Sequence, residues 1–201
     1  MMKKNRLEAF SDGVIAIIIT IMVLELKVPQ GASLHDLRPL APVFISYILS
    51  FINVGLYWNN HHHLFRVVEH INGKVLWANT HLLFWLSLMP FTTGWMGENY
   101  FAQWPVIFYT LVLLMSGTAY YILVRALLPL HTKDSALVKA IGTDLKGKIS
   151  VVIYIAAISA AFIHPYISLG LNLVVLGIWF IPDKRIENLK EDDRWLKEDD
   201  R

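Results

Sequence analysis

Six apolar segments follow one another along the chain, separated by polar stretches or by breaks that contain proline or glycine. We predict that each is a helix that crosses a lipid bilayer, since its length is close to or above the roughly 20 apolar residues that a span requires. The last two form one apolar run, too long for a single span. Because proline disrupts a helix, we predict a tight reversal at Pro165. The predicted segments are residues 8–28, 40–65, 75–97, 104–129, 148–164 and 166–182.

The basic residues lie mainly in the connections on one side of the predicted membrane domain. If the N-terminus is cytoplasmic, all of the 18 Lys and Arg except Lys27 and Arg38 fall on the cytoplasmic side. Cytoplasmic loops of membrane proteins carry this kind of excess. We therefore predict an all-α membrane protein with six transmembrane helices and both termini in the cytoplasm. Residues 1–182 form the predicted six-helix transmembrane domain, and residues 183–201 form a charged cytoplasmic tail.

The composition agrees with a membrane protein and excludes several other classes. Hydrophobic residues make up 55% of the chain and charged residues 17%, and the mean hydropathy of +0.47 is high for a soluble protein. A formal net charge of +2 is too small to indicate a nucleic-acid partner. The chain has no cysteine, which excludes disulfides and thiolate chemistry. It shows neither a Ser-His-Asp order nor a glycine-rich phosphate loop, so we predict no enzyme activity and no cofactor.

Polar residues at the start of the first segment are the strongest functional candidates. Ser11 and Asp12 lie at the entrance of an apolar helix, where polar groups are costly unless they face protein or water. Helical geometry places Asp12 about 140° and Ser11 about 120° from Ile17, on opposite flanks. Ile21 and Leu24 lie within about 40° of Ile17. The polar entrance and this aliphatic stripe therefore point in different directions. Spacing alone favours a stripe that faces lipid or packs against neighbouring helices, and it leaves open a stripe that lines a path through the membrane.

Three consecutive histidines, His61, His62 and His63, lie on the second predicted helix. Successive residues of a helix point about 100° apart, so one metal ion cannot bind all three. The i, i+4 pairing that zinc sites on helices use is absent within this triplet. We predict a structural role, in which at least one of these histidines is bonded to Asp12, and no metal site.

The residues Arg6, Phe10, Ser11 and Asp12 form an RxxxFSD sequence at the start of the first segment. This sequence resembles the signature of the transmembrane protein 175 family, which are potassium channels of endolysosomes with relatives in the bacterial plasma membrane. The chain length and the six predicted spans are similar to the bacterial single-repeat form. The second and third segments add further residues that are similar to the family: Trp58, His61, His62, Phe65, Trp77, Asn79 and Pro90.

The resemblance implies a tetramer around a central pore that the first helix lines. In the family, the constriction is a ring of large aliphatic side chains that begins five residues after the Asp of the motif. Here that position is Ile17, followed by Ile21 and Leu24, and Thr20, about 60° from Ile17, is a further candidate for contact with the ion. The resemblance also implies a hydrogen-bonded network that fixes the tilt of the pore helix. Its implied members are Arg6, Phe10, Ser11, Asp12, His61, His62 and Asn79.

The implied function is that of a potassium channel, modestly selective over sodium, in a bacterial plasma membrane. Its partners would be potassium ions, the lipid bilayer and further copies of the chain. The sequence has no TVGYG-type carbonyl filter, and an aliphatic ring can only exclude water or pass partly dehydrated ions, which favours gating by dewetting. One alternative is a secondary or proton-coupled cation transporter that uses Asp12 and a histidine of the second helix. Another is a membrane-embedded enzyme or assembly factor that uses the histidines.

Overall fold

The structure, a computed structural model, describes residues 4–66, 68, 70–131 and 145–180 of the 201-residue chain. The predicted cytoplasmic tail at residues 183–201, and the last two residues of the sixth predicted segment, lie outside these ranges. Regular structure in the described ranges is entirely helical. The prediction of an all-α protein is therefore confirmed.

In the described ranges, seven α-helices occupy the six apolar segments, because the third segment contains two helices. Short 3-10 segments at Leu34–Leu40 and Leu128–Leu130 adjoin the second and fifth helix. The α-helices are α1 (Lys4–Leu24), α2 (Ala41–Arg66), α3 (Gly73–Ser87), α4 (Met89–Glu98), α5 (Gln103–Leu127), α6 (Leu145–Ala161) and α7 (Pro165–Phe180).

The third segment is interrupted at Leu88, between α3 and α4. Leu88 has φ −84° and ψ −9°, and Pro90 occupies the first turn of α4. Proline has no N–H to donate and its ring clashes with the carbonyl four residues earlier, so the α-helical hydrogen bond from position 90 to the Leu86 carbonyl is lost and the helix is weakened at this point. The Leu88 N–H instead donates to the Trp85 carbonyl at 3.2 Å. The apolar segment predicted at residues 75–97 is thus formed by two consecutive helices, α3 and α4.

The predicted reversal at Pro165 is confirmed. α6 ends at Ala161, and Pro165 begins α7 at a position where its missing N–H is not needed. Pro165–Phe180 is apolar but has only 16 residues, shorter than a typical span. Three helical stretches of the described chain are long and apolar enough to cross a membrane: Lys4–Leu24, Leu34–Arg66 and Gln103–Leu130.

The core of the bundle is built around α5, while α1 lies at its edge. α5 packs against α3, α4, α6 and α7 and buries large side chains such as Tyr109, Leu113 and Leu123. Buried hydroxyl groups join α2, α4 and α5, since Thr93 Oγ1 donates to Ser50 Oγ at 2.6 Å and Ser50 Oγ donates to the Tyr109 hydroxyl at 3.3 Å. α1 packs chiefly against α2, α3 and α4. This edge position leaves one side of α1 uncovered.

An ion pair links the chain after α1 to the end of α4. Lys27 Nζ lies 2.5 Å from Glu98 Oε1, and both side chains are largely exposed. The hydrogen bond to Glu98, together with the negative charge of that carboxylate, raises the pKa of Lys27 above its ordinary value. Water screens a pair this exposed, so it contributes little to stability. The pair shows that the chain just after α1 lies next to the end of α4.

Candidate functional site on the first helix

The two faces of α1 differ sharply in exposure. Apolar residues that face the bundle are almost fully buried, with Ile15 at 2% and Ile18 at 3% exposed. On the opposite face the exposed fractions are 62% for Phe10, 60% for Ile17, 41% for Ile21 and 75% for Leu24. We call the exposed set Phe10, Ile17, Ile21 and Leu24 the outer stripe. The three predicted constriction residues Ile17, Ile21 and Leu24 all belong to it.

Thr20 is exposed beside the outer stripe. Its Oγ1 donates to the carbonyl of Ala16 at 2.8 Å, within the same helix. Because that bond uses the hydroxyl proton, the oxygen lone pairs are the part of the group that can face a cation. The hydroxyl can therefore act as a ligand for a cation without breaking its bond to the helix.

A buried network joins α1, α2 and α3 at the level of the RxxxFSD sequence. His61 Nε2 lies 2.8 Å from Asn79 Oδ1, and Asn79 Nδ2 donates to Ser11 Oγ at 2.9 Å. Ser11 and His61 are fully buried, and Asn79 is nearly so. The structure thus brings together three of the predicted network residues. We call Ser11, His61 and Asn79 the inner network.

The hydrogen bond between Ser11 and the Leu7 carbonyl fixes the donor and acceptor roles in the rest of the inner network. Ser11 Oγ donates to the Leu7 carbonyl at 2.8 Å, so it accepts from the Asn79 amide nitrogen. The Asn79 oxygen then faces His61 and accepts from Nε2, which assigns the proton of the imidazole to that nitrogen. Every member thus depends on Asn79, which bonds to both neighbouring helices.

Asp12 has a different partner from the one expected. The indole Nε1 of Trp58 donates to Asp12 Oδ1 at 3.0 Å, whereas His61 is engaged with Asn79. His62 is also directed elsewhere, since its Nδ1 lies 3.3 Å from Glu8 Oε1. For His61 and His62, the predicted bond to Asp12 is therefore corrected. The physical reason is that Asp12 contacts α2 about one turn before the histidines. At that height the indole N–H of Trp58 is the group that donates to it.

Arg6 and Phe10 lie outside the inner network. Arg6 is eleven residues before Ile17, which places it about 20° from Ile17 on the helix and about 120° from Asp12. It is exposed, and within the described ranges it makes no hydrogen bond or ion pair. The expectation that Arg6 bonds with Ser11 and Asp12 is not met in a single copy of the chain, because the helix directs it to the side of the outer stripe.

Two residues that the sequence analysis did not select, Lys4 and Glu8, also bind α2. Lys4 Nζ donates to the backbone carbonyls of Phe65 at 3.2 Å and Val68 at 2.7 Å, at the C-terminal end of α2. An ammonium group is favourable at this end of a helix. We call the contacts of Lys4, Glu8 and Asp12 with α2 and its C-terminal extension the polar ladder. The i, i+4, i+8 spacing of three charged residues was the sequence signal for this face.

No group of three or more His, Asp or Glu side chains in the described part of the chain is placed to hold a metal ion. His61, His62 and His63 point in different directions, as their consecutive positions on α2 require. The chemistry that the site offers is therefore hydrogen bonding and charge on one side of α1, and apolar exposure on the other.

The bond between Asp12 and Trp58 predicts a specific stability loss. Asp12→Ala should lower the free energy of unfolding by about 1 kcal/mol, less than for a fully buried bond to a charged group because the pair is partly exposed. Trp58→Phe should cost a similar amount, and the double variant should lose less than the sum, since both substitutions remove one bond. Thermal unfolding midpoints of the detergent-solubilised protein measure this. Fully additive losses would show that the bond does not contribute.

Comparison with known proteins places the chain in a family. Residues 6–90 match the family model described as "Endosomal/lysosomal potassium channel TMEM175". A potassium channel from Chryseobacterium sp. (strain P1-3) is 56% identical over 191 residues, which is 94% of this chain and 100% of that protein. The endosomal/lysosomal proton channel TMEM175 of Bos taurus is 35% identical over 101 residues, covering 44% of this chain and 21% of that protein.

A solved structure is also similar to this one. The crystal structure of a lysosomal potassium-selective channel TMEM175 homolog from Chamaesiphon minutus aligns with a TM-score of 0.76 and 28% identity, over 88% of this chain and 95% of that one. The residues matched by the family model contain the inner network and the polar ladder contacts of Glu8 and Asp12. The chain is therefore a multi-pass membrane protein that belongs to the TMEM175 family, a family of ion channels and not of enzymes.

Proposed function

We propose that the protein is a potassium channel, modestly selective over sodium, whose conduction path is formed by the α1 helices of four copies. The Chryseobacterium relative is named a potassium channel, and the similar structure from Chamaesiphon minutus is described as potassium-selective. The Lys and Arg distribution supports a topology with both termini in the cytoplasm. The bacterial relatives support a location in a bacterial plasma membrane.

The observation that carries this proposal is the exposed outer stripe of α1. The opposite side of the same helix is held by the inner network and the polar ladder, which orient α1 relative to α2 and α3. One chain presents one such stripe, so a closed path requires several copies arranged around an axis. Four stripes facing one another would enclose a narrow apolar pore.

The pore lining accounts for conduction without a carbonyl filter. Ile17, Ile21 and Leu24 would form three successive aliphatic rings. Along α1, the Ile21 ring lies about 6 Å and the Leu24 ring about 10 Å from the Ile17 ring. Such rings offer a cation no ligands, so they exclude water when narrow and otherwise pass ions that shed part of their hydration shell. Potassium sheds water more readily than sodium, which gives modest selectivity. The Thr20 hydroxyl, adjacent to these rings, is placed to share this role.

Proton conduction is the second candidate, because the vertebrate relatives are named proton channels.

A coupled transporter that relays protons between Asp12 and a histidine of α2 has less support. The hydrogen bond to Asp12 comes from the Trp58 indole, and both His61 and His62 have other partners. An indole N–H donates but does not accept, so it cannot pass a proton along a relay.

The test is potassium and sodium flux in liposomes that contain purified protein. Wild type should conduct potassium faster than a carrier can, with a preference over sodium. Ile17→Asn should bring the potassium-to-sodium preference to about unity, because a polar ring hydrates the constriction. Val23→Asn is the matched control, since Val23 is 44% exposed on the same helix but lies about 120° from Ile17. It should leave the preference unchanged.

Three outcomes would contradict the proposal in different ways. Slow, saturable flux that is indifferent to Ile17→Asn would indicate a carrier. Proton flux, followed with a trapped pH dye, in the absence of potassium flux would indicate a proton channel. Equal effects of Ile17→Asn and Val23→Asn would remove the outer stripe from the conduction path.

A further inference from the structure

We propose that Glu8 and His62 are positioning residues for conduction, whose ion pair holds the cytoplasmic end of α1 on α2 and makes potassium flux depend on cytoplasmic pH. Conduction itself rests on the proposed function, whereas the pH-dependent contact between the two helices stands independently of it. The pair is the middle contact of the polar ladder, between the contact of Lys4 and that of Asp12.

The geometry of the ladder singles out this middle contact. His62 Nδ1 and Glu8 Oε1 are 3.3 Å apart, and the two side chains are 39% and 21% exposed. Lysine and aspartate side chains as a class titrate far from neutral pH, whereas histidine changes charge between about pH 5 and 8. The attraction between imidazolium and carboxylate exists only while the imidazole carries its second proton. Acidification therefore strengthens this contact, and alkalinisation weakens it.

Other groups around His62 act with and against Glu8. The His62 ring lies over the Trp58 indole, with centroids 5.9 Å apart and planes 18° apart, and the face of an indole attracts a cation. From α3, Asn79 bonds to His61, the neighbour of His62, and it is uncharged. The anionic groups on α1 that favour an imidazolium are Glu8 and Asp12. The cationic or titratable groups that oppose it are Lys4, His61, His63 and Arg66. Of the anionic groups, Glu8 is the one in direct contact with the ring.

The position of the pair couples it to the outer stripe. Ser11, one turn after Glu8, is fixed in the buried inner network through its bond with Asn79. When the attraction at Glu8 is lost, the Lys4 contact alone holds the end of α1 before Ser11, so the rigid helix tilts more readily about Ser11 and its two ends move in opposite directions. Ile17 lies about 9 Å beyond Ser11 along the axis and would be displaced by this pivot. The contact on the cytoplasmic side therefore sets the distance between the Ile17 side chains of neighbouring copies, and so the width of that aliphatic ring.

Potassium flux measured at internal pH values from 6 to 8 tests the coupling. Wild type should change by about two- to fivefold, the effect that a partly exposed pair can exert on a conformational equilibrium. In Glu8→Gln, the potassium flux should not change with pH and should equal the wild-type flux at pH 8. His62→Lys keeps a positive charge opposite Glu8. Its potassium flux should not change with pH and should equal the wild-type flux at pH 6. His70→Gln is the control, because it removes an exposed histidine after α2 and should retain the wild-type profile.

A second measurement reports the contact itself, without conduction. The chain has no cysteine, so Ala9→Cys and Asn59→Cys provide two exposed sites for spin labels on α1 and α2. In labelled protein diluted with unlabelled copies, the distance distribution should broaden from pH 6 to pH 8, and Glu8→Gln should keep it broad throughout. A distribution that is independent of pH in wild type overturns the inference, as does a wild-type flux profile in Glu8→Gln. Absence of potassium flux in wild type and in every variant, with the pH-dependent distance intact, would instead count against the proposed function alone.

Discussion

Replacing Asn79 by leucine is expected to destabilise the protein by about 2–4 kcal/mol, one of the largest effects of any single substitution in the described chain. The Asn79 amide is the central member of the inner network, where it accepts from His61 and donates to Ser11. Without it, the His61 N–H loses its acceptor and the Ser11 oxygen loses its donor, while the Ser11 hydroxyl still donates to the Leu7 carbonyl. A buried donor left without a partner costs more than the bond itself contributes, because its desolvation is no longer offset.

Thermal unfolding followed by size-exclusion chromatography measures this loss, and a decrease of about 5–15 °C in the midpoint is expected. Thr80→Leu is the matched control, since Thr80 is the next residue of α3, is exposed and donates only to the Leu76 carbonyl of its own helix. It should change the midpoint little. Combining Asn79→Leu with His61→Leu should cost less than the sum of the two single losses, because the pair then leaves no unsatisfied N–H. An Asn79→Leu protein as stable as wild type would contradict the role given to the network.

Replacing Gly97 by alanine is expected to force α4 away from α2 and to destabilise the protein by about 2–3 kcal/mol. A Cβ at this position would lie 2.7 Å from Val43 Cα and 2.9 Å from Ser46 Oγ. A side chain could rotate away from a new methyl group, but Val43 Cα belongs to the backbone, so the whole helix must shift. Closely packed helices in membranes use small residues for this reason.

Gly94→Ala provides the control on the same helix, because a Cβ there meets nothing within 4 Å. Alanine is the better helix former, so Gly94→Ala should leave the stability unchanged or raise it by up to about 1 kcal/mol. Thermal midpoints of both variants, measured side by side, separate steric overlap from helix propensity, and Gly97→Ala should fall by about 5–10 °C. Equal midpoints for the two variants would show that α2 and α4 adjust to the added methyl group without cost.

The sequence alone was sufficient for the features that depend on neighbouring residues. The apolar segments, the reversal at Pro165 and the all-α class follow from local hydrophobicity and from the chemistry of proline. The separation of Ile17, Ile21 and Leu24 from Ser11 and Asp12 follows from the helical repeat. The motif also indicated the family, since residues 6–90 carry its signature. These features require no knowledge of which helices pack together.

The interruption at Leu88 was within reach of the sequence but was not predicted. Pro90 lies inside an apolar segment of ordinary length, and prolines do occur within transmembrane helices when neighbouring groups satisfy the freed carbonyls. Apolar length alone therefore predicted one segment. Whether the chain bends or breaks at such a proline is decided by packing against α5 and α2.

The identity of the contact partners was decided only by the tertiary structure. Asp12 meets Trp58, His62 meets Glu8, and His61 meets Asn79, although the sequence offered three adjacent histidines for the same aspartate. The choice depends on the relative height of α1 and α2, and a shift of one turn, about 5 Å, would exchange every partner. The close approach at Gly97 depends on the same long-range geometry. The sequence by itself thus determined where the helices lie and which side of α1 is polar, because those are local properties, whereas packing between distant segments decided which groups touch.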